Sequence, residues 1–302
     1  MERRALLKTA LISSGAFMLG VQGCSTSTPD FKTDSKADPL DAKKVFMEQG
    51  ACSSTLFYIL NREFGYQKEM EVRAAEPLAG GIQRKGHQCG FLWGASLAVG
   101  AESFRRHDDL DQAIGAATTT TQQLMDSFGK TANSINCRGI TDCDLTNVFG
   151  LMKLILFKRE TCFNLAEEWA PKAIQTATDG LAYNQATIPQ SCMSCASEVV
   201  RKMGASDEEM AMVAGFAGGL GLSGRACGAL SAAIWMKNLA WQKKQTESEP
   251  DTTDMLKAFD EVTGSRVLCN KITGQTFNTA DDHTDYVRNG GCKTLINVLA
   301  TT

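Results

Sequence analysis

Residues 79–95 read AGGIQRKGHQCGFLWGA, and residues 217–233 read AGGLGLSGRACGALSAA. The two stretches align without a gap and share eight identical positions, among them a cysteine followed directly by a glycine. A second match, CRGITD at 137–142 against CNKITG at 269–274, occurs in the same order. A pattern repeated in both halves of a chain is the signature of a duplicated structural unit. We therefore predict two units, copy one at 42–180 and copy two at 181–302.

The apolar residues indicate helices. They recur at spacings of three and four residues, and β-branched runs are few, so strands have little support. We predict an all-α fold of two tandem helical units. The start of one helix is marked by Ser206-Asp207-Glu208-Glu209, and helix ends are expected at Gly65, Gly100, Gly129, Gly180 and Gly204. The predicted helices are Thr55–Phe64, Gly90–Phe104, Leu110–Phe128, Val148–Phe157, Thr161–Thr176, Asp207–Ala217 and Gly228–Trp241.

The composition excludes several classes of protein. The chain has 302 residues, of which 43% are hydrophobic and 22% charged, so most of it can bury a core and is not disordered. A net charge of −3 with 7% aromatic residues argues against a nucleic-acid-binding protein. The chain holds three histidines but eleven cysteines, so we expect its chemistry to depend on sulfur.

The first 24 residues are typical of an export signal. A twin-arginine pair, Arg3-Arg4, precedes an apolar stretch over 9–21 that is too short to span a bilayer. VQGC at 21–24 resembles a bacterial lipobox, with Gln22 the unusual residue, and predicts lipidation at Cys24. Residues 25–41 are predicted to be a flexible tether. We therefore expect a lipoprotein on the periplasmic side of the bacterial cell envelope, held to the inner or the outer membrane by its lipid.

Each copy carries cysteines in corresponding order. In copy two the first position has two candidates, because Cys192 and Cys195 form a C-x-x-C pair. Length favours Cys192, which lies 35 residues before Cys227, close to the 37 between Cys52 and Cys89. Cys195 gives a separation of 32 but opens a segment of helical character, as Cys52 does. The sets are Cys52, Cys89, Cys137 and Cys162 in copy one, and Cys192 or Cys195, Cys227, Cys269 and Cys292 in copy two.

Small residues surround the second cysteine of each set. Gly86, Gly90 and Gly94 recur every fourth residue, as do Gly224, Gly228 and Ala232. On a helix they would form one face, and each glycine inside a helix costs about 1 kcal/mol relative to alanine. Such a face is expected where another helix or a cofactor approaches the backbone closely.

This pattern resembles a family of redox-active proteins whose name spells it, C-GCAxxG-C-C. Both copies depart from it at the residue before the cysteine, Gln88 or Ala226, and copy two has Ala232 in place of the last glycine. The family is also similar to the iron-sulfur part of split-Soret cytochromes. The resemblance implies a cofactor site in each copy, lined by Gly90 or Gly228 and by the cysteines Cys52, Cys89, Cys137, Cys162, Cys192 or Cys195, Cys227, Cys269 and Cys292.

Four thiolates from separate helices are what a tetrathiolate iron-sulfur cluster requires. The leading hypothesis is therefore an electron carrier with up to two clusters and a redox partner protein, rather than an enzyme with its own substrate. Long separations equally allow disulfides in an oxidising periplasm, which would give a cofactor-free binding or structural lipoprotein. A third hypothesis is a thiol-disulfide oxidoreductase that uses Cys192 and Cys195.

Three features remain outside this pattern. Cys143 is left over, and it could link to copy two or replace Cys137. His87 is interpreted as a polar surface residue, with a role beside Cys89 as the alternative. The acidic run at 281–285 lacks the spacing of a calcium loop and is predicted to be a solvated loop.

Overall fold

The computed structural model describes residues 41–182, 191–244 and 250–302. These residues belong to one compact unit and contain helices but no β-strand, which confirms the all-α prediction. The predicted signal, Cys24 and residues 25–40 of the tether lie outside the described residues.

The helices of copy one are separated by short turns. A 3₁₀ turn at Glu76–Leu78 follows the third helix, and a π-helical turn at Leu154–Lys158 joins the seventh to the eighth. The helices are α1 (Ala42–Gln49), α2 (Cys52–Glu63), α3 (Glu69–Ala74), α4 (Gly90–Arg106), α5 (Leu110–Thr131), α6 (Cys137–Thr141), α7 (Val148–Lys153) and α8 (Arg159–Ala182).

Copy two repeats this order in a shorter form, with its own 3₁₀ turn at Ala214–Phe216. Its helices are α9 (Cys195–Lys202), α10 (Asp207–Met212), α11 (Gly228–Lys244), α12 (Thr253–Thr263), α13 (Cys269–Thr273), α14 (Ala280–Arg288) and α15 (Lys293–Thr301). Helices α4 and α11 each have 17 residues, whereas α9 has 8 against 12 in α2.

Local capping explains several helix starts. Ser206 forms a capping box with Glu209 at the start of α10, as the sequence predicted. A second box, formed by Thr279 and Asp282, opens α14. The acidic run at 281–285 is therefore helical, and the prediction of a loop there is wrong.

The glycines end only some of the helices. Gly65 and Gly204 follow α2 and α9 with positive φ, as predicted. Gly100, Gly129 and Gly180 instead lie inside α4, α5 and α8. At Gly100 the reason is packing, because an added Cβ would overlap the backbone of Ala211 and Met212 in α10.

Each AGG motif forms a left-handed turn. Residues 80–84 all have positive φ, between 50° and 77°, and residues 218–222 repeat this with φ between 55° and 85°. A side chain in this region costs roughly 1–2 kcal/mol, so consecutive left-handed residues are rare. Ile82, Gln83 and Arg84 take this conformation in copy one, and Leu220 and Leu222 do so in copy two. Such stored strain is characteristic of functional sites.

The two copies pack against each other reciprocally. Helix α4 lies against α10, where Gly100 faces Met212, while α11 lies against α3, where Trp235 Nε1 donates to the Glu71 carbonyl at 3.3 Å. The buried Gln88 side chain joins the two glycine loops, because it donates to Gly219 O at 2.9 Å and accepts from Ala226 N–H at 3.2 Å. The copies therefore share one core.

Candidate functional site

The first cysteine of each set is the first residue of a helix. Cys52 begins α2, and Cys195 begins α9. The register is the same in both copies, because Ser54 Oγ donates to Val72 O at 2.9 Å and Ser197 Oγ donates to Met210 O at 2.7 Å. These serines each lie two residues after the cysteine and anchor it to the following helix, α3 or α10.

This register favours Cys195 over Cys192 as the counterpart of Cys52. Helix α9 is shorter than α2 by four residues, about one turn, and the link that follows it is one residue shorter. Together these account for the shorter separation from Cys195 to Cys227. Cys192 Sγ lies instead 3.4 Å from Thr284 Oγ1, and the other three cysteines of copy two interact electrostatically with Cys195.

The second and third cysteines are joined by the backbone in the same way in both copies. Cys89 N–H donates to Ile135 O and Cys227 N–H to Val267 O, at 2.8 and 2.9 Å. Cys137 N–H donates to His87 O at 2.7 Å, and Cys269 N–H to Arg225 O at 2.5 Å. Isolated β-bridges, Gln88 with Asn136 and Ala226 with Leu268, result from this pairing.

Cys162 and Cys292 complete the two groups from the start of the last helix of each copy. Cys162 lies in the first turn of α8, and Cys292 is the N-cap of α15 with φ 59°. We define site one as Cys52, Cys89, Cys137 and Cys162, and site two as Cys195, Cys227, Cys269 and Cys292.

The four cysteines of site one line a single cavity of about 650 Å³. Apolar side chains form part of its wall, and copy two contributes a further part that includes Asn238 and Thr252. Gln83 from the left-handed turn donates to Thr252 Oγ1 at 2.5 Å, which holds this wall in place. Site one is thus lined by residues from both copies.

Cys52 and Cys89 form a coupled pair within site one. The Cys89 thiol donates a hydrogen bond to Cys52 Sγ, which lowers the pKa of Cys52 to about 7. The same bond and burial raise the pKa of Cys89. Backbone N–H groups of Gly80, Gly90 and Ser53 also donate to Cys52 Sγ. Negative charge in site one is therefore favoured on Cys52.

Site two has a related environment. Burial is the main reason that the pKa of Cys195 is raised and that the pKa of Cys227 is raised to about 12. The Gly218 N–H donates to Cys195 Sγ, as its counterpart Gly80 does to Cys52. Tyr286 donates its hydroxyl to the Cys292 thiol, an interaction that the sequence analysis missed. Its position six residues before Cys292 carried no motif that could have revealed it.

The glycines confirm part of the predicted small-residue face. An added Cβ at Gly90 would overlap Cys52 Sγ, and one at Gly94 would overlap the Ser53 carbonyl, so α2 lies directly against α4. Gly228 faces the Phe216 carbonyl in the same manner. Gly86 and Gly224 do not share this face, because they precede the helices and have φ of 81° and 69°.

The cysteines outside the two sites differ in their surroundings. Cys143 is buried beside Cys137 and Leu145, and its thiol donates to Thr141 O at 3.2 Å. It is therefore a fifth thiol near site one, where its charge acts on Cys137 and Cys162. Burial raises the pKa values of Cys192 and Cys195 alike, the opposite of what a nucleophilic thiolate requires. His87 is half-buried, and burial lowers its pKa.

All ten cysteines in the described part of the chain are free thiols. Within those residues, no three His, Cys, Asp or Glu side chains converge as the ligands of one metal ion do. A cluster distributes its thiolates over several iron atoms, so its ligands need not meet around one ion. Two features fit the thiolate ligands of such a cluster. At site one, four thiols line one cavity. At both sites, backbone N–H groups donate hydrogen bonds to a cysteine sulfur.

Comparison with protein families gave one finding, a match found twice. The matching family is described as "Putative redox-active protein (C_GCAxxG_C_C)", at residues 51–205 and 189–302. The chain belongs to this family. The two C-GCAxxG-C-C matches agree with the two copies predicted from the sequence, while the boundary at 180 stays a prediction. Comparisons with curated proteins and with solved structures found no match.

No helix in the described part of the chain combines the length and the apolar character that crossing a bilayer would require.

Proposed function

We propose that this redox-active protein binds an iron-sulfur cluster at each site and carries electrons between partner proteins. The observation that supports it is the repeated geometry. Two groups of four thiols, each of which includes a cysteine at the start of a helix, lie beside equivalent left-handed glycine turns. In this proposal the ligands are Cys52, Cys89, Cys137 and Cys162 at site one and Cys195, Cys227, Cys269 and Cys292 at site two.

The chain's own residues have three tasks in this proposal. The helix starts and the short backbone bridges hold the sulfur atoms on separate elements. The N–H groups of Gly80, Gly90 and Gly218 donate to sulfur, which offsets negative charge. Burial of Cys89 and Cys227 keeps water away from the sites. A bound cluster supplies one-electron chemistry.

The test is to measure iron, acid-labile sulfide and the visible spectrum of the full chain, prepared without oxygen. We expect a brown protein whose absorbance bleaches on reduction. Cys89→Ser should remove the contribution of site one and Cys227→Ser that of site two, so each variant retains roughly half of the iron and the double variant is colourless. Circular dichroism would show that the helices persist.

Cys192→Ser provides the matched control, because Cys192 is buried like Cys89 and Cys227 but lies beside Thr284. It should keep the full iron content. A colourless wild-type protein, or iron that survives the double variant, would contradict the proposal. Few free thiols together with paired cysteines on non-reducing mass mapping would favour the disulfide-stapled alternative.

Export and anchoring are part of the same proposal. The twin-arginine pair and the cysteine at position 24 support a folded, lipid-anchored protein on the periplasmic side of the membrane. Cys24→Ser should prevent addition of the lipid, which mass spectrometry of the mature chain would detect. An unmodified wild-type Cys24 would contradict this part alone.

A further inference from the structure

The segment before Cys162 exposes an unusual amount of apolar surface. Phe149 is 85% exposed, Phe157 76% and Val148 70%. Of the nine large apolar side chains that are exposed in the described residues, six lie in this segment. We call these six the apolar face: Val148, Phe149, Met152, Ile155, Leu156 and Phe157.

The apolar face runs along one side of a continuous helical segment. Val148, Phe149, Met152, Ile155 and Leu156 are linked by spacings of three or four residues, so they adjoin on the helix surface. Phe157 lies five residues after Met152, in the π-helical turn, whose hydrogen bonds also span five residues. The opposite side is fixed to the protein, because Leu151 and Leu154 line the cavity of site one and the Gly150 backbone packs on the Asp144 carbonyl. Ile155 lies at the border of the two sides, because it is half exposed and also lines this cavity. The π-helical turn at Leu154–Lys158 lies within the face, and such turns often mark functional positions.

The charges of the segment all have one sign. Residues 148–159 include Lys153, Lys158 and Arg159 and no acidic residue. Lys153 pairs with Asp142 at 2.8 Å, whereas Lys158 and Arg159 form no ion pair with any described residue. The net charge of −3 for the whole chain conceals this local excess of positive charge.

Copy two has a different surface at the same place in the repeat. Helix α14 ends four residues before Cys292, just as the π-helical turn ends four residues before Cys162. Its exposed side carries Asp281, Asp282 and Asp285 in place of apolar residues. The apolar face is thus a property of copy one and not of the repeated frame.

We propose that the apolar face docks on an anionic phospholipid surface. Large apolar side chains next to Lys and Arg characterise helices that lie in a membrane interface, where lipid phosphates attract the cations. The lipid on Cys24 proposed above would keep the body near such a surface, since the 17 residues of 25–41 reach at most about 60 Å. Docking itself requires only the face and its cations, whether or not site one holds a cluster.

The test uses the full chain with Cys24→Ser in every sample, so that residues 1–40 are the same throughout. Co-sedimentation is measured with phosphatidylcholine vesicles that contain phosphatidylglycerol and with pure phosphatidylcholine vesicles. We expect binding to the anionic vesicles that weakens as salt is raised. Phe149→Ser with Phe157→Ser should lower the binding about tenfold or more, and Lys158→Glu with Arg159→Glu should abolish the preference for anionic lipid.

The matched control is Met47→Ser with Met70→Ser, which removes exposed apolar side chains elsewhere and should leave binding unchanged. A second measurement places tryptophan in the face as Phe157→Trp, whose fluorescence should shift to the blue on anionic vesicles. Binding that is equal in the serine variant would show that residues 1–40 bind the vesicles and would overturn the proposal. If Phe149→Ser with Phe157→Ser abolished self-association without changing vesicle binding, the apolar face would bind a second copy of the chain, and the proposal would also be overturned.

Discussion

Site one and site two share a frame but differ in what surrounds it. In both, the cysteines occupy equivalent positions, and a glycine N–H donates to the first sulfur. Site one opens on a cavity and has Cys143 nearby, and the surface of the segment before Cys162 is apolar and basic. Site two receives a hydrogen bond from Tyr286 and lies under an acidic helix. Duplication has kept the positions of the thiols and changed the access and electrostatics, so we expect the two proposed clusters to have different potentials.

The largest effect is expected where the copies differ by one methyl group. Gly94 packs on the Ser53 carbonyl, whereas its counterpart in copy two is already an alanine, Ala232. Gly94→Ala should lower the free energy of unfolding by about 3 kcal/mol, because α2 and α4 must move apart. Ala232→Gly should cost only about 1–2 kcal/mol, from the intrinsic penalty of a helical glycine and the loss of one buried methyl group. Urea unfolding followed by circular dichroism measures both.

Gly129→Ala provides the control for helix propensity, since Gly129 lies in α5 with no atom within 4 Å of an added Cβ. It should leave stability unchanged or raise it by up to about 1 kcal/mol. Equal effects of Gly94→Ala and Gly129→Ala would show that the close contact of α2 and α4 is not required.

The thiols of the metal-free chain should differ next in reactivity. Because the Cys89 thiol donates to Cys52, the pKa of Cys52 is about 7, below its ordinary value of 9.0. The alkylation rate of Cys52 should therefore rise with pH through a midpoint near pH 7. At pH 7 its thiolate fraction should exceed that of a thiol with the ordinary pKa of 9.0 by roughly 50-fold. Cys195, whose pKa is raised, should stay unreactive there. Mass spectrometry after timed labelling gives the rate at each residue.

Cys89→Ala tests the cause of this difference, because it removes the hydrogen-bond donor. A serine at this position would still donate a hydrogen bond from its hydroxyl, so Cys89→Ser cannot make this test. In Cys89→Ala the midpoint for Cys52 should move upward. If the midpoint stays near pH 7, the Cys89 thiol is not the main cause of the lowered pKa.

The smallest effect is expected at Tyr286. Tyr286→Phe removes one hydrogen bond to the Cys292 sulfur, worth about 1 kcal/mol, and keeps the ring beside Phe277. Hydrogen bonds to sulfur stabilise the reduced state, so the potential of site two should fall by roughly 40 mV. Redox titration in the Cys89→Ser background isolates site two. In the Cys227→Ser background the same change should leave site one unaltered, and a shift there would contradict the assignment.

The sequence predicted the all-α fold, the two copies and the close approach at Gly90, because these depend on periodicity and on repeated residues. It could not choose between Cys192 and Cys195 by length, since four of the five lost residues come from α9 and only one from the link after it. The left-handed turns were also beyond it, because Ile82, Gln83 and Arg84 do not favour positive φ and take it only where the surrounding fold imposes it. The hydroxyl of Tyr286 reaches Cys292 through tertiary packing, which leaves no local pattern.

The reciprocal packing of α4 on α10 and α11 on α3 has a consequence for oligomeric state. Each copy leaves uncovered a surface that only the other copy covers, and Gln88 satisfies backbone groups of copy two alone. A polypeptide with one such unit would have to meet this need with a second chain. The arrangement is that of a symmetric homodimer around a two-fold axis, with its two subunits joined in one chain.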